Sequence, residues 1–276
     1  MTAYYLKNIS ARHHAAAADA PDALHEINLS VESGEQVAII GSSGAGKTTL
    51  LHVLACALQP HLGTLTLFNN DPWQLAHSQR HTLRGQLFLA PQTPPLPPRQ
   101  RVVTTVLAGR LPQWSLWQAF LSLLKPSDPA AAFEVLARLG LQDKLYERVD
   151  RLSGGERQRC GIARLLLSNA RVLLVDEPLS ALDPTLSLQT LTVLQQHASS
   201  RDATLICSLH HVEFARAHFP RIIGLRQGRI VFDLARAEVT DEMVRDLYQN
   251  GQENSVTATA EVDLTKPQVS LDSRCF

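Results

Sequence analysis

Val37-Ala-Ile-Ile-Gly41-Ser-Ser-Gly-Ala-Gly46-Lys47-Thr48 decides the architecture. Its first four residues are a continuous apolar run, the pattern of a strand buried on both faces, and they pass directly into a G-x4-G-K-[ST] segment. Beyond Lys47, apolar residues recur at Leu50, Val53, Leu54, Ala57 and Leu58, the spacing of one helical face. Strand, glycine loop, helix is the order of a phosphate-binding loop. The glycines let backbone N–H groups converge on phosphate oxygens, and the helix start adds partial positive charge. In that reading Gly41, Ser42, Ser43, Gly44, Ala45 and Gly46 form the cradle with Thr49 beside it. Lys47 meets the β- and γ-phosphates, and the Thr48 hydroxyl ligates Mg2+. The bland alternative is a glycine-rich turn entering a helix.

Upstream, Tyr4–Ile9 and Ile27–Val31 alternate apolar and polar residues and read as a β-hairpin region, closed by the turn Glu32-Ser-Gly-Glu35. Downstream, residues 91–98, PQTPPLPP, hold five prolines, which stop both helix and central strand. A domain boundary is placed there. From it to about residue 153 the chain reads as helical: Trp114–Leu124 is apolar, and Pro129–Leu139 has Asp128 as N-cap, Pro129 at the first position and Gly140 as stop. Strand and helix then alternate again: strand Val172–Val175, helix Pro184–Ser199 capped by Asp183, strand Thr204–Cys207, helix from about Leu209, and strands Ile222–Leu225 and Ile230–Phe232. The expectation is an α/β fold with a mixed central sheet and an N-terminal antiparallel β region. Residues 1–90 and 160–250 form its core, 91–159 an inserted helical subdomain, and 251–276 a polar, flexible tail.

Composition narrows the function. Of 276 residues, 26 are Lys or Arg and 26 Asp or Glu, so no global field draws the chain to nucleic acid or an anionic membrane. The basic positions Arg157, Arg159 and Arg164 read as a solvated or dimer-facing helix surface, and no nucleic-acid partner is expected. The apolar stretch at 114–124 is about half of the roughly 20 residues a spanning helix needs, and MTAYYLKNIS lacks a signal peptide's apolar region. A soluble, cytosolic chain is expected. Cys56, Cys160, Cys207 and Cys275 lack zinc-site or disulfide spacing, which points to reduced thiols.

Val172-Leu-Leu-Val-Asp176-Glu177 ends a buried strand with two carboxylates, where parallel sheets place their ligand sites. Asp176 would hold Mg2+ and Glu177 would polarise an attacking water; a solvated turn is the alternative. Leu152-Ser-Gly-Gly-Glu156 adds a second anion-binding helix terminus, with Ser153 as N-cap and Gly154 and Gly155 baring the first turn.

Together these residues resemble the ATP-binding-cassette (ABC) ATPases over about residues 1–250. Gly41–Thr48 resembles the Walker A loop, Gln92 the glutamine that senses Mg2+ and the membrane partner, and Ser153–Glu156 the signature. Asp176 and Glu177 resemble Walker B, Ser180-Ala-Leu-Asp183 the D-loop, and His210 the switch histidine, with His211 beginning a helix's outer face. The family's adenine platform falls on His13 or His14 instead of the common Tyr; an exposed loop histidine is the alternative. The resemblance implies catalytic roles for Glu177, His210 and Lys47, ATP as substrate with Mg2+, and Ser153, Gly154, Gly155 and Glu156 closing over a partner copy's nucleotide in a head-to-tail homodimer.

Gly109-Arg-Leu with Trp117, Leu139–Lys144, Leu209–Ala215 and Arg221–Asp233 are similar to the ATPase of bacterial phosphonate importers. That similarity implies integral membrane permease subunits as partners, a periplasmic substrate-binding protein as an indirect one, and residence at the cytoplasmic face of the inner membrane. The Trp-rich stretch 109–121 is either the permease-facing surface or core of the helical subdomain. Competing readings are a subunit of a carbon–phosphorus lyase-type complex and an importer ATPase for another small solute. A DNA-repair ABC protein would need a coiled-coil insertion and a translation factor two cassettes, and neither pattern is present.

Overall fold

The computed structural model describes residues 1–13, 20–124 and 126–249. Both the expected tail, 251–276, and His14 lie outside the described residues. In chain order the strands are β1 (Thr2–Arg12), β2 (Asp22–Glu32), β3 (Gln36–Ile40), β4 (Leu62–Leu67), β5 (Leu87–Ala90), β6 (Val172–Asp176), β7 (Thr204–Leu209), β8 (Arg221–Arg226) and β9 (Arg229–Ala235). The helices are α1 (Lys47–Leu54), α2 (His77–Arg84), α3 (Val102–Leu107), α4 (Leu116–Leu124), α5 (Pro129–Arg138), α6 (Gly154–Leu166), α7 (Pro184–Ser200), α8 (Val212–His218) and α9 (Asp241–Gln249).

Two sheets share the work of positioning the site. A six-stranded sheet runs β5-β6-β7-β3-β8-β9, parallel except for its last strand, and a three-stranded antiparallel sheet runs β2-β1-β4. β3 is apolar throughout because it is central: it pairs with β7 and with β8, and Val37 to Ile40 are all fully buried. Its alternate residues serve two cores. Val37 and Ile39 pack with β1, β2 and α1 between the two sheets, while Ala38 and Ile40 face α6, α7 and the helical segment. The phosphate loop's helix is therefore clamped between two sheets.

Register brings the functional strand ends level. Ile40 of β3 lies opposite Leu209 of β7, and Asp176 of β6 lies opposite Ser208 of β7. Three adjacent parallel strands thus deliver the glycine loop, the Asp-Glu pair and the Ser208–His210 segment to one edge, the carboxyl end where α/β sheets bind ligands.

Local caps follow the sequence. Asp128 accepts from the Ala131 N–H at 3.1 Å, Asp183 from those of Thr185 and Leu186, and Ser153 and Glu156 bond each other's backbone N–H in a capping box. The proline segment 91–98 takes neither helix nor strand and crosses α6 at Gly161, where a Cβ would lie 2.7 Å from Pro94 Cγ.

Several boundaries differ from the sequence reading. α1 stops at Leu54, not Leu58, because Cys56 adopts a left-handed φ of 52° and the N–H groups of Ala57 and Leu58 both turn back to the His52 carbonyl. The helix expected across Trp114–Leu124 begins only at Leu116: Pro112 lies in a 3-10 turn and Trp114 is extended, so the helix starts afresh on a reciprocal Ser115–Gln118 cap. α8 begins at Val212, not Leu209, since β7 continues through Leu209. β4, β5, α2, α3 and α9, elements of four to nine residues, were not anticipated from the sequence. Arg159 and Arg164 are half-buried and not solvated, with Arg159 donating to the Leu139 carbonyl at 2.7 Å. Among the described residues no helix is long and apolar enough to cross a membrane.

Candidate functional site

A cleft of about 430 Å3 opens at the carboxyl edge of the main sheet, lined by His13, Ser43 to Thr49, Gln92, Glu177 and His210. Gly46 at its base takes φ 103°, a left-handed conformation that an L side chain adopts only under strain, and a Cβ there would sit 2.7 Å from the Ala23 carbonyl. This turn sets the first N–H groups of α1 toward the cleft.

The buried Lys47 ammonium donates to the Gly41 carbonyl at 2.8 Å and the Ser42 carbonyl at 3.1 Å, and lies 3.9 Å from Glu177 Oε1. Burial draws its pKa below the ordinary lysine value, while the charges of Glu177 and Asp176 oppose that shift. Gly41 and Ser42 therefore fix the lysine from behind and do not line the cleft. Thr48 Oγ1 donates to Asp176 Oδ2 at 2.8 Å, and Ser208 Oγ donates to Asp176 Oδ1 at 2.5 Å. Ser208 also accepts the Glu177 N–H at 2.9 Å. The His210 ring places Nε2 2.5 Å from Glu177 Oε1, whereas His211 packs edge-on against Phe214.

Glu177 carries the strain of the site. It is a non-glycine residue at φ 48°, directly after β6, and is held by the Ser208 hydroxyl at its N–H and by Gln158 Nε2 at its carbonyl, 2.7 Å away. That bend turns the carboxylate off the strand axis and toward Lys47 and His210.

Ser153, Gly154, Gly155 and Glu156 do not reach this cleft. They cap α6 beside a second cleft, lined by Gln92, Asp150, Gly154, Arg157, Gln158, Ser180 and Ala181. Ser153 and Gly154 are exposed, with open space around Gly154, whereas Gly155 lies so close to the loop after β6 that a Cβ would approach the Ala181 carbonyl to 2.7 Å. Gln92 alone borders both clefts. The sequence reading missed Ser208 and Gln158, whose small or amide side chains belong to no phosphate or carboxylate pattern; their only signal is position, two residues before His210 and two after Glu156. It also missed Tyr248 of α9, whose hydroxyl reaches the His210 carbonyl at 3.5 Å.

A glycine loop gripping its lysine, an Asp-Glu strand end beside it, and a serine-capped helix terminus exposed on another face define an ATP-binding cassette of the transport-ATPase class. The chain belongs to the ABC transporter family, whose model matches residues 24–180. It is 58% identical over 94% of its length, and 94% of the relative's, to the phosphonates import ATP-binding protein PhnC 2 of Albidiferax ferrireducens. It is 60% identical to the phosphonates import ATP-binding protein PhnC of Polaromonas sp., over 88% of each chain. Among solved structures it resembles a dimeric ATP-binding cassette in a post-hydrolysis state bound to ADP and Pi, with TM-score 0.71 and 26% identity over 84% of this chain and 98% of that one.

Proposed function

We propose that this chain is the ATP-hydrolysing subunit of a bacterial phosphonate importer, working as a homodimer on separate permease subunits. The observation that carries the reading is spatial. The groups suited to grip and hydrolyse a triphosphate converge in one cleft, while the Ser153–Glu156 helix terminus stands exposed on a different one. A head-to-tail second copy would bring that terminus over the first copy's nucleotide, so ATP bridges two chains and hydrolysis releases them. High identity to the phosphonates import proteins supports the substrate class.

In this reading Ser43 to Thr49 cradle the phosphates, with Gly41 and Ser42 holding the lysine behind them, Lys47 meets the β- and γ-oxygens, and His13 faces the adenine. Glu177 accepts a proton from the water as its oxygen bonds the γ-phosphorus and the bond to the β,γ-bridging oxygen breaks, leaving ADP and phosphate. His210 donates to the γ-phosphate. The hydroxyl of Thr48 beside the carboxylate of Asp176, with the Gln92 amide on the same cleft, is a hard oxygen donor set that fits Mg2+. Bound there, Mg2+ supplies charge neutralisation for the phosphate oxygens.

Residues 91–159 act as the lever. α4 leaves Leu116 93%, Trp117 68% and Phe120 54% exposed, with Leu121 also exposed, so this face is not core of the helical segment. It suits a permease at the cytoplasmic face of the inner membrane, with a periplasmic binding protein delivering solute. Two measurements test the reading. Glu177→Gln with excess MgATP should run as a dimer by light scattering. The subunit reconstituted with permease should hydrolyse ATP faster when phosphonate-loaded binding protein is added; stimulation by sugars or amino acids alone overturns the substrate class, and co-purification with a soluble enzyme complex in place of two permeases overturns transport.

A further inference from the structure

Gln158 stands one helical turn beyond the Ser153–Glu156 cap, on the same helix, α6, and is 4% exposed. All of its amide capacity is spent on the loop that follows β6. Nε2 donates to the Glu177 carbonyl at 2.7 Å and to Ser180 Oγ at 3.2 Å, and Oε1 accepts the Ala181 N–H at 3.1 Å. The contact is stiffened by the bare backbone of Gly155, seated too close to the Ala181 carbonyl for any side chain. At the far end of this link Glu177 holds φ 48°, a conformation that persists only where its surroundings impose it. Its N–H is held from β7 and its carbonyl from α6, so a small axial or rotational displacement of α6 moves the carbonyl end of a bent residue whose amide end stays fixed. The carboxylate between Lys47 and His210 must then swing.

We propose that Gln158 is a positioning residue that couples what binds at the exposed start of α6 to the aim of the Glu177 carboxylate in the same chain's cleft. The inference rests on the dimer reading above, in which the start of α6 engages the partner copy's nucleotide. Each subunit's hydrolytic base is then set by the triphosphate held in the other half of the dimer, and the two composite sites fire as a linked pair.

The test uses the full chain with MgATP. Gln158→Met keeps length and burial but removes the three hydrogen bonds of the side-chain amide. It should lower kcat about ten-fold while KM for ATP stays within about two-fold, with the melting temperature down by roughly 6–12 °C from the buried hydrogen bonds lost. In the Glu177→Gln background, Gln158→Met should still dimerise with MgATP, because the start of α6 is untouched. A merely structural role would move KM and dimerisation together with kcat. Unchanged kcat, or kcat lost in step with dimerisation, overturns the inference. Should Gln158→Met not fold, Gln158→Glu is read by the same criteria: it keeps the bond from the Ala181 N–H but faces the Glu177 carbonyl with an acceptor. If the Glu177→Gln parent itself fails to dimerise, the dimer reading falls, and this inference with it; a dimerising parent beside a fully active Gln158→Met sinks the coupling alone.

Discussion

Replacing Ser208 by Ala removes one oxygen and disturbs two carboxylates. Ser208 is completely buried, donates to Asp176 Oδ1 and accepts from the Glu177 N–H. Its loss deprives a carboxylate of a charge-assisted bond and leaves a half-buried N–H without a partner, which together cost about 3 kcal/mol. For a chain of this size that lowers Tm by roughly 6–12 °C, at about 2–4 °C per kcal/mol. The alanine methyl fills nearly the same volume, so packing contributes little. Function should fall as well, because Asp176 loses one of its two anchors and Glu177 loses the bond that fixes its bent backbone. A tenfold fall in kcat corresponds to about 1.4 kcal/mol of lost alignment, less than the bonds removed. Scanning fluorimetry and steady-state ATPase assays on the same preparation measure both. A Tm within about 2 °C of the parent with unchanged kcat would refute the claim that this hydroxyl holds the acidic strand end in place.

Two further outcomes follow from the fold. His197 of α7 is buried, and burial, reinforced by the charges of Arg201 and Arg138, pulls its pKa down to about 4. The unfolded chain therefore binds the proton first, so stability is full above about pH 6.5 and declines as pH falls toward 4, by about 2 kcal/mol at pH 5; His197→Leu should flatten that dependence in urea titrations at pH 7.5 and 5. Trp117→Ser with Phe120→Ser should leave ATPase activity of the subunit alone unchanged and abolish co-purification with the permease, since both rings are largely exposed on α4.

How much of this was legible in the residues depended on how local the determinant was. The glycine loop, the Asp176–Glu177 pair and the Asp128, Ser153 and Asp183 caps were readable because a few adjacent side chains dictate them. Ser208 and Gln158 were not, because their roles exist only through register: Asp176 must lie opposite Ser208, and α6 must pass under the loop after β6. The end of α1 hid for a different reason. Cys56 in a left-handed conformation breaks the rule that glycine or asparagine marks such a stop, and tertiary packing overrode the helical pattern running to Leu58. Whether the aromatic stretch around Trp117 was core or surface was undecidable from periodicity, which says that a face is apolar but not whether anything covers it.

Pro94 rests against the bare backbone of Gly161, and two residues away Gln92 looks into both clefts. No cushion of side chain separates that segment from α6, so displacement of one is displacement of the other. On the importer reading proposed above, load arriving from a permease and fuel arriving from the nucleotide meet at a single stiff joint, and a subunit built this way registers the two only together.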